Sequence, residues 1–290
     1  MAGESTLSST NRKTYIDEAI KAVALEEYKL MSLCTVDSSS AWISTYFQRT
    51  NTVEATGGGT GSPINGIPQM APFPYIEQPL VSVSSITQKW AAESILPMET
   101  LQMATVPMLR EIVRTVSRTV AYAVDRAILA VLSASYGNTY AITAGNEWDS
   151  ATVANRDPVK DILTAIQTLR TDNINVEDGE VYLVVNGTDY VNILSNSKFT
   201  NNPSFKTADV VSNGVMGQVA GAKIMVTDVV AADTAYIVKS KEALTFKQVE
   251  ALTTATIEDP GKSTTVRAWM QGAIQIPVPN AVCKITNTRA

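Results

Sequence analysis

The stretch from Pro107 to Gly137 constrains this chain most. Leu109, Ile112, Val113, Val116, Val120, Ala123, Val124, Ala127, Ile128 and Val131 recur at intervals of three and four, Pro107 suits a first helical turn, and Tyr136-Gly137 ends the pattern. At 1.5 Å rise per residue the predicted helix runs about 40–45 Å, more than a typical helix of a compact domain. It reads as a strut.

The sequence ahead of the strut predicts an arm. Thr14 with Asp17 resembles a capping box, and Ile16, Ile20, Val23, Leu30 and Leu33 keep a rough helical stripe. After Cys34 the stretches WISTYFQRT and VEATGGG turn to strand formers. TGGGTGSPINGIPQMAPFP, residues 56–74, then carries too much Gly and Pro for a helix or a central strand. On its far side YIEQPLVSVSSITQKW alternates with period two around Leu80, Val81, Val83 and Ile86 and reads as a returning strand. The two segments form a long two-stranded arm with a Gly/Pro tip. Such a ribbon buries too little apolar area to offset its ordering entropy, so it needs a partner surface.

Beyond the strut the pattern is mixed α and β. Asp157-Pro158 starts a helix with Val159, Ile162, Leu163, Ile166 and Leu169 as its stripe, and Asp178-Gly179 turns into the apolar strand 181–185. A further helix is expected around Tyr190, followed by the strands KIMVTDVV and TAYIV. The last segment, residues 244–286, is strand-like on both sides of a turn at Asp259-Pro260-Gly261.

Chemical motifs are scarce. No histidine occurs among the 290 residues, which excludes Ser-His-Asp and Cys-His nucleophilic sites and removes the commonest transition-metal ligand. No catalytic residue, metal ligand or cofactor is therefore nominated, and Glu111 and Asp125 are too scattered to pair as acid and base. Gly261-Lys262-Ser263-Thr264 is similar to the end of a P-loop. Position 256, however, is Thr where that motif needs glycine, and strand-like sequence follows where it needs a helix, so a hairpin turn is expected. Gly214, Gly217 and Gly221 lack dinucleotide spacing and precede a strand, so they too predict a turn. Ser195-Asn196-Ser197-Lys198 matches S-x-x-K without its companion motifs and reads as a polar helix end. Asn186-Gly187-Thr188 reads as a turn.

A net charge of -5 argues against a dedicated nucleic-acid binder. Arg110, Arg114 and Arg118 nevertheless recur every four residues along the strut, with Arg126 further down. They read either as a stripe facing nucleic acid or an acidic neighbour, or as a solvated face with local ion pairs such as Arg110 or Arg114 with Glu111. Cys34 and Cys283 are left unpaired, as in a reducing compartment. No apolar run reaches bilayer length and the N-terminus lacks the apolar centre of a signal peptide, so synthesis in a cytoplasm is expected.

Laid in order, these elements resemble the major capsid protein family of tailed viruses, whose fold is named after phage Hong Kong 97. The carrying stretches are VSRTVAYAVDRAILA in the strut and VYLVVNGTDYVNILSNSKF beyond it. GVMGQVAGAKIMVTDVV, TAYIVKSKEALTFKQVE and TTVRAWMQGAIQIPVPNAVCKIT carry the rest. The resemblance implies an α+β fold divided into an N-terminal arm (1–35), an extended loop (36–98), a peripheral domain with the spine helix (99–150), an axial domain (151–243) and closing strands (244–290). It implies a structural, non-enzymatic subunit that self-assembles into an icosahedral shell around double-stranded DNA, located in the virion and assembled in a host cytoplasm. Hexamers and pentamers of itself are its first partners, with a portal and a decoration protein beside them. A separate scaffold protein is expected because the arm begins almost at Met1. Packaged DNA is expected to be held non-specifically, with no membrane involved. Intersubunit contacts are expected at Gly57, Gly58, Gly59, Gly61 and Pro63 of the loop tip and at Arg110, Arg114 and Arg118. Two alternatives are an encapsulin-type shell around protein cargo and a phosphate-binding enzyme using Gly261 to Thr264.

Overall fold

The computed structural model describes residues 29–49, 69–70, 80–103, 108–196 and 217–290; for 101–103 and 108–110 the backbone alone is described. The chain enters through a 3-10 turn, Leu30–Leu33, both of whose leucines are fully buried. Strands β1 (Thr35–Ser38) and β2 (Ile43–Arg49) follow. The chain returns through β3 (Leu80–Ile86) and β4 (Gln88–Pro97), then the short helix α1 (Met98–Met103) and the strut itself, α2 (Met108–Ala134). The strut's 27 residues correspond to about 40 Å, and it ends two residues before Tyr136.

Why α2 persists for that length is visible in what it covers. Val113, Val116, Val120, Val124, Ile128 and Leu132 are buried, and the helix packs on a four-stranded sheet whose order is β1-β10-β11-β4. That sheet is built on the long hairpin of β10 (Thr245–Asp259) and β11 (Ser263–Gln275). β4 pairs antiparallel with β11 along its whole length and β1 runs parallel to β10. Residues 88–97 therefore belong to the body of the protein. The returning strand read from the sequence is in fact two strands, and only β3 pairs with β2.

The second sheet has six strands in the order β5-β12-β9-β6-β8-β7. Its members are β5 (Asn138–Ala141), β6 (Val181–Val185), β7 (Gln218–Val219), β8 (Ala222–Val226), β9 (Thr234–Lys239) and β12 (Val282–Thr286). Four of the five residues of β6 are buried, which explains why its sequence is an unbroken apolar run instead of an alternating one. Helix α3 (Pro158–Thr171) packs on this sheet and opens as its sequence dictates, with Asp157 accepting from the backbone N–H of Lys160 and Pro158 at the first position. Helix α4 (Gly187–Leu194) corrects the reading of Asn186-Gly187-Thr188 as a turn: Asn186 is an N-cap whose side-chain oxygen accepts from Thr188 N–H. An Asn-Gly pair fits both roles, and the apolar residues that follow decide for the helix.

The glycine turn ahead of β8 is real. Ala220 and Gly221 both have positive φ between β7 and β8, and Gly214 lies outside the described residues. Gly272 is demanding for another reason: a Cβ there would come within 2.6 Å of the Phe246 ring and 2.9 Å of the Lys247 carbonyl. Phe246 is fully buried and cannot retreat. Gly272→Ala should lower the free energy of unfolding by about 1–3 kcal/mol in a urea titration. An unchanged midpoint would mean that the strands part easily at this point.

Candidate contact surface

The two-stranded sheet of β2 and β3 stands apart from the other two. Pleating sends alternate residues to opposite faces, so Ile43, Thr45, Phe47 and Arg49 share one face with Leu80, Ser82, Ser84 and Ile86. On that face Ile43, Phe47, Leu80 and Ile86 are 59%, 61%, 51% and 63% exposed. Trp42, at 61%, lies just ahead of it.

The opposite face meets the body through polar groups. Gln48 Nε2 donates to the Ile276 carbonyl (3.1 Å), Gln275 Nε2 donates to Ser85 Oγ (2.8 Å), and Arg49 N–H donates to the Pro277 carbonyl (2.9 Å). Beneath the ribbon a cavity of about 220 Å³ is lined by Tyr46, Ser85, Gln88, Trp90 and Ile274 among others, and Ser84 and Ile86 at the end of β3 reach its edge. The ribbon is thus attached to the chain's own body through polar groups, on a face that also carries Val81 and Val83, while the apolar residues of the other face stay largely exposed. An apolar face of this kind marks a surface that another molecule covers. The tip residues nominated from sequence, Gly57, Gly58, Gly59, Gly61 and Pro63, lie outside the described residues.

The arginines fall on the flank of α2 away from its buried stripe. Arg114, Arg118 and Arg126 are exposed, and Tyr122, 53% exposed, completes the four-residue spacing. Arg110 lies in the first turn, where only the backbone is described. The expected ion pair of Arg114 with Glu111 is not among those formed by the described residues, and both side chains stand in solvent. Beside the row a groove of about 490 Å³ is lined by Lys29, Arg118, Thr119, Tyr122, Asp125 and Asp228 among others.

Sequence reading did not find the role of Asp125. It is 3% exposed, and its carboxylate accepts the backbone N–H groups of Lys29 (2.9 Å), Leu30 (3.1 Å) and Met31 (3.3 Å). These three open the 3-10 turn, so Asp125 caps an element 95 residues earlier in the chain. Burial pushes its carboxyl above the ordinary range, opposed in part by the three N–H donors. Lys29 Nζ donates in turn to the Val226 carbonyl (2.9 Å), and Lys241 N–H donates to the Leu33 carbonyl (2.7 Å). One short segment thus joins the strut to the second sheet.

The P-loop-like stretch and the S-x-x-K stretch behave as a turn and a helix end, unlike Asn186-Gly187-Thr188, which opens a helix. Gly261, at φ +77°, sits in the β10–β11 turn, and Ser263 and Thr264 already pair with β4 and β10. No helix opens behind Gly261 to face a phosphate. Ser195 is the C-cap of α4, while Ser197 and Lys198 lie outside the described residues. Asp161, raised by burial, is held by Trp148 Nε1 and the Tyr140 hydroxyl, each at 3.0 Å. Among the described residues no three Cys, Asp or Glu side chains gather as metal ligands, and no helix is long and apolar enough to cross a membrane.

Cys34 and Cys283 are buried free thiols. Burial, helped by the nearby Asp125 carboxylate, pushes the Cys34 thiol up to about 12, and burial raises Cys283 as well. Both remain protonated at neutral pH. A disulfide reagent at about pH 8 should modify neither until denaturant is added, because the thiolate is the reactive form. Rapid labelling of the native protein would contradict this packing.

Comparison with known proteins follows the same lines. The family described as phage capsid protein matches residues 99–285. No curated protein matches the sequence. Among solved structures, the chain is similar to one of Mycobacterium phage Che8, with a TM-score of 0.64 at 16% identity over 91% of this chain and 92% of that one. The mature capsid of bacteriophage PhiM1 gives 0.63 at 14% identity, covering 90% and 87%. A virus-like particle from Pyrococcus furiosus gives 0.62 at 11% identity, covering 94% and 99%. At such identities the likeness is one of fold.

Proposed function

This chain belongs to the phage capsid protein family, and from that premise we propose that it is the major subunit of a closed icosahedral shell around the double-stranded DNA of a tailed virus. Its fold is of the Hong Kong 97 type: a spine helix on a sheet with a long hairpin, a mixed α/β sheet, and an extended two-stranded ribbon. The observation that carries the proposal is the outward apolar face of that ribbon. A second copy of the chain is its partner, since a shell of identical subunits needs the same contact at every position.

On this reading the segments 1–35, 99–150, 151–243 and 244–290 are arm, peripheral domain, axial domain and closing strands. The extended loop expected over 36–98 narrows to the part between β1 and β4, since both of those strands lie in the sheet under the spine helix. Gly57, Gly58, Gly59, Gly61 and Pro63 belong to a loop tip that lies on a neighbouring subunit, and Arg110, Arg114 and Arg118 face a neighbour or the lumen. Subunits gather as hexamers and pentamers in the host cytoplasm with the help of a separate scaffold protein, around a portal, with a decoration protein as a further partner. The work is contact, with no reaction.

The alternative shell, one around protein cargo, shares the fold; the family match to phage capsids favours the genome. Particles purified from producing cells and treated with nuclease should release double-stranded DNA when denatured. Particles that release a single protein species and no DNA would establish the cargo compartment instead.

A further inference from the structure

The spine helix carries a second surface that the ribbon contact leaves unused. Arg114, Arg118, Tyr122 and Arg126 follow one i, i+4 ridge, and from first to last they span about 18 Å of helix axis. All four are exposed. Among the described residues the carboxylates facing them are few. Glu111 lies one turn before Arg114, Asp228 stands across the groove, and Asp125 spends both oxygens on the backbone N–H groups of residues 29–31. Lys29 adds a cation on the groove wall, while its ammonium donates to the Val226 carbonyl. Arg118 also holds a contact within the chain. The chain as a whole carries -5, so this flank is a local positive strip on an acidic protein.

We infer that this strip binds the phosphate backbone of nucleic acid, with Arg114, Arg118 and Arg126 as the phosphate ligands and Tyr122 as an uncharged contact between them. The inference rests on the reading of the chain as a genome shell, because the enclosed DNA supplies the polyanion. Arginine suits such a contact, since its guanidinium stays charged and its planar fork donates to two phosphate oxygens at once. Contacts of this kind carry no base information, so binding is weak, indifferent to sequence and steeply dependent on salt. Weak binding fits a lining that is repeated many times around one long polymer.

The test is fluorescence anisotropy of a labelled DNA duplex with the unassembled full chain, over a series of salt concentrations. At about 0.9 per neutralised phosphate, three ligands predict a slope of log affinity on log salt near -3, or roughly 40-fold weaker binding at 200 mM than at 50 mM. The triple variant R114Q/R118Q/R126Q should fall to a slope of about -1 or shallower, and R114Q and R126Q singly should each remove about one. The single variants keep the test decisive if the triple one misfolds. Arginine-to-lysine replacements should retain most of the slope. A slope unchanged by every glutamine variant, or no duplex binding at all, overturns the inference. So does a strip that binds polyglutamate and not the duplex, which would assign it to an acidic protein partner. Normal shells from a chain that fails to bind the duplex would remove this inference and leave the shell reading intact; duplex binding by a chain that never assembles would do the reverse.

Discussion

Phe47→Ser combined with Ile86→Ser should leave the isolated subunit melting where the wild type melts and should remove most particles. Both side chains are largely exposed, at 61% and 63%, and although Ile86 also borders the cavity under the ribbon, neither belongs to the buried core, so their truncation costs the fold little. Assembly is different. Each residue has about half its apolar surface still to bury, worth about 1 kcal/mol at some 25 cal/mol per Å². Losing two such contacts per ribbon amounts to about 2 kcal/mol, or roughly a thirtyfold rise in the concentration at which subunits associate. Because one shell repeats the contact at every subunit, particles should vanish at concentrations where the wild type assembles fully. The checks are calorimetry on subunits and sedimentation of the assembled fraction. Particles at wild-type yield would refute the ribbon as a contact, and a collapse of subunit melting would make it part of the core.

Asp125→Ala is expected to act in the opposite way, on the subunit itself. It leaves the N–H groups of Lys29, Leu30 and Met31 without their acceptor, and Leu30 is fully buried. An unsatisfied buried donor costs about 1–3 kcal/mol, and water can reach part of this site from the adjoining groove. A total near 3 kcal/mol should lower the melting temperature by roughly 6–12 °C in a chain of this size. Proteolysis should begin close to Leu33. Asp125→Asn, which keeps one acceptor oxygen, should lose less than the alanine variant. A melting temperature within about 2 °C of the wild type would mean that the 3-10 turn holds without its cap, on the packing of Leu30 and Leu33 alone, since about 1 kcal/mol shifts the midpoint by roughly that much.

These two residue sets also mark how far sequence alone reaches. The strut, the hairpin turn at Gly261, the start of α3 at Asp157-Pro158 and the apolar strand β6 were legible because each depends on neighbours within a few positions. Periodicity, caps and turn chemistry are local signals. The division of the returning strand at Thr87 was not. Thr87 is 4% exposed and ties back to Trp42 and Ala41, and the change of partner from β2 to β11 is set by residues far along the chain. The strand β5 is four residues long with alternating polar character, and only its pairing with β12 defines it. Asp125 was invisible for the same reason: a lone acid in a helix gives no hint of donors 95 residues away.

The ribbon proposed as a contact surface was half legible. Alternation in WISTYFQRT and LVSVSSI pointed to the ribbon, and the need for a partner followed from its thinness. Which face turns outward could not be read, because both faces carry apolar residues in the sequence. The polar attachments through Gln48, Ser85 and Gln275 decide it. The arginine row was read at the right spacing, but the ion pair of Arg114 with Glu111 did not form, while the alternative pair with Arg110 falls where only the backbone is described. At this distance from the core, two solvated side chains gain too little from pairing to be held together.

The central claim is that this chain builds a closed shell from copies of itself through the outward face of its ribbon. Electron micrographs of negatively stained full-length protein, purified with and without a co-expressed scaffold partner, test it most directly. Uniform closed particles, absent from the Phe47→Ser, Ile86→Ser variant under the same conditions, are the predicted result. A chain that stays monomeric in every condition, with wild type and variant indistinguishable, would contradict it.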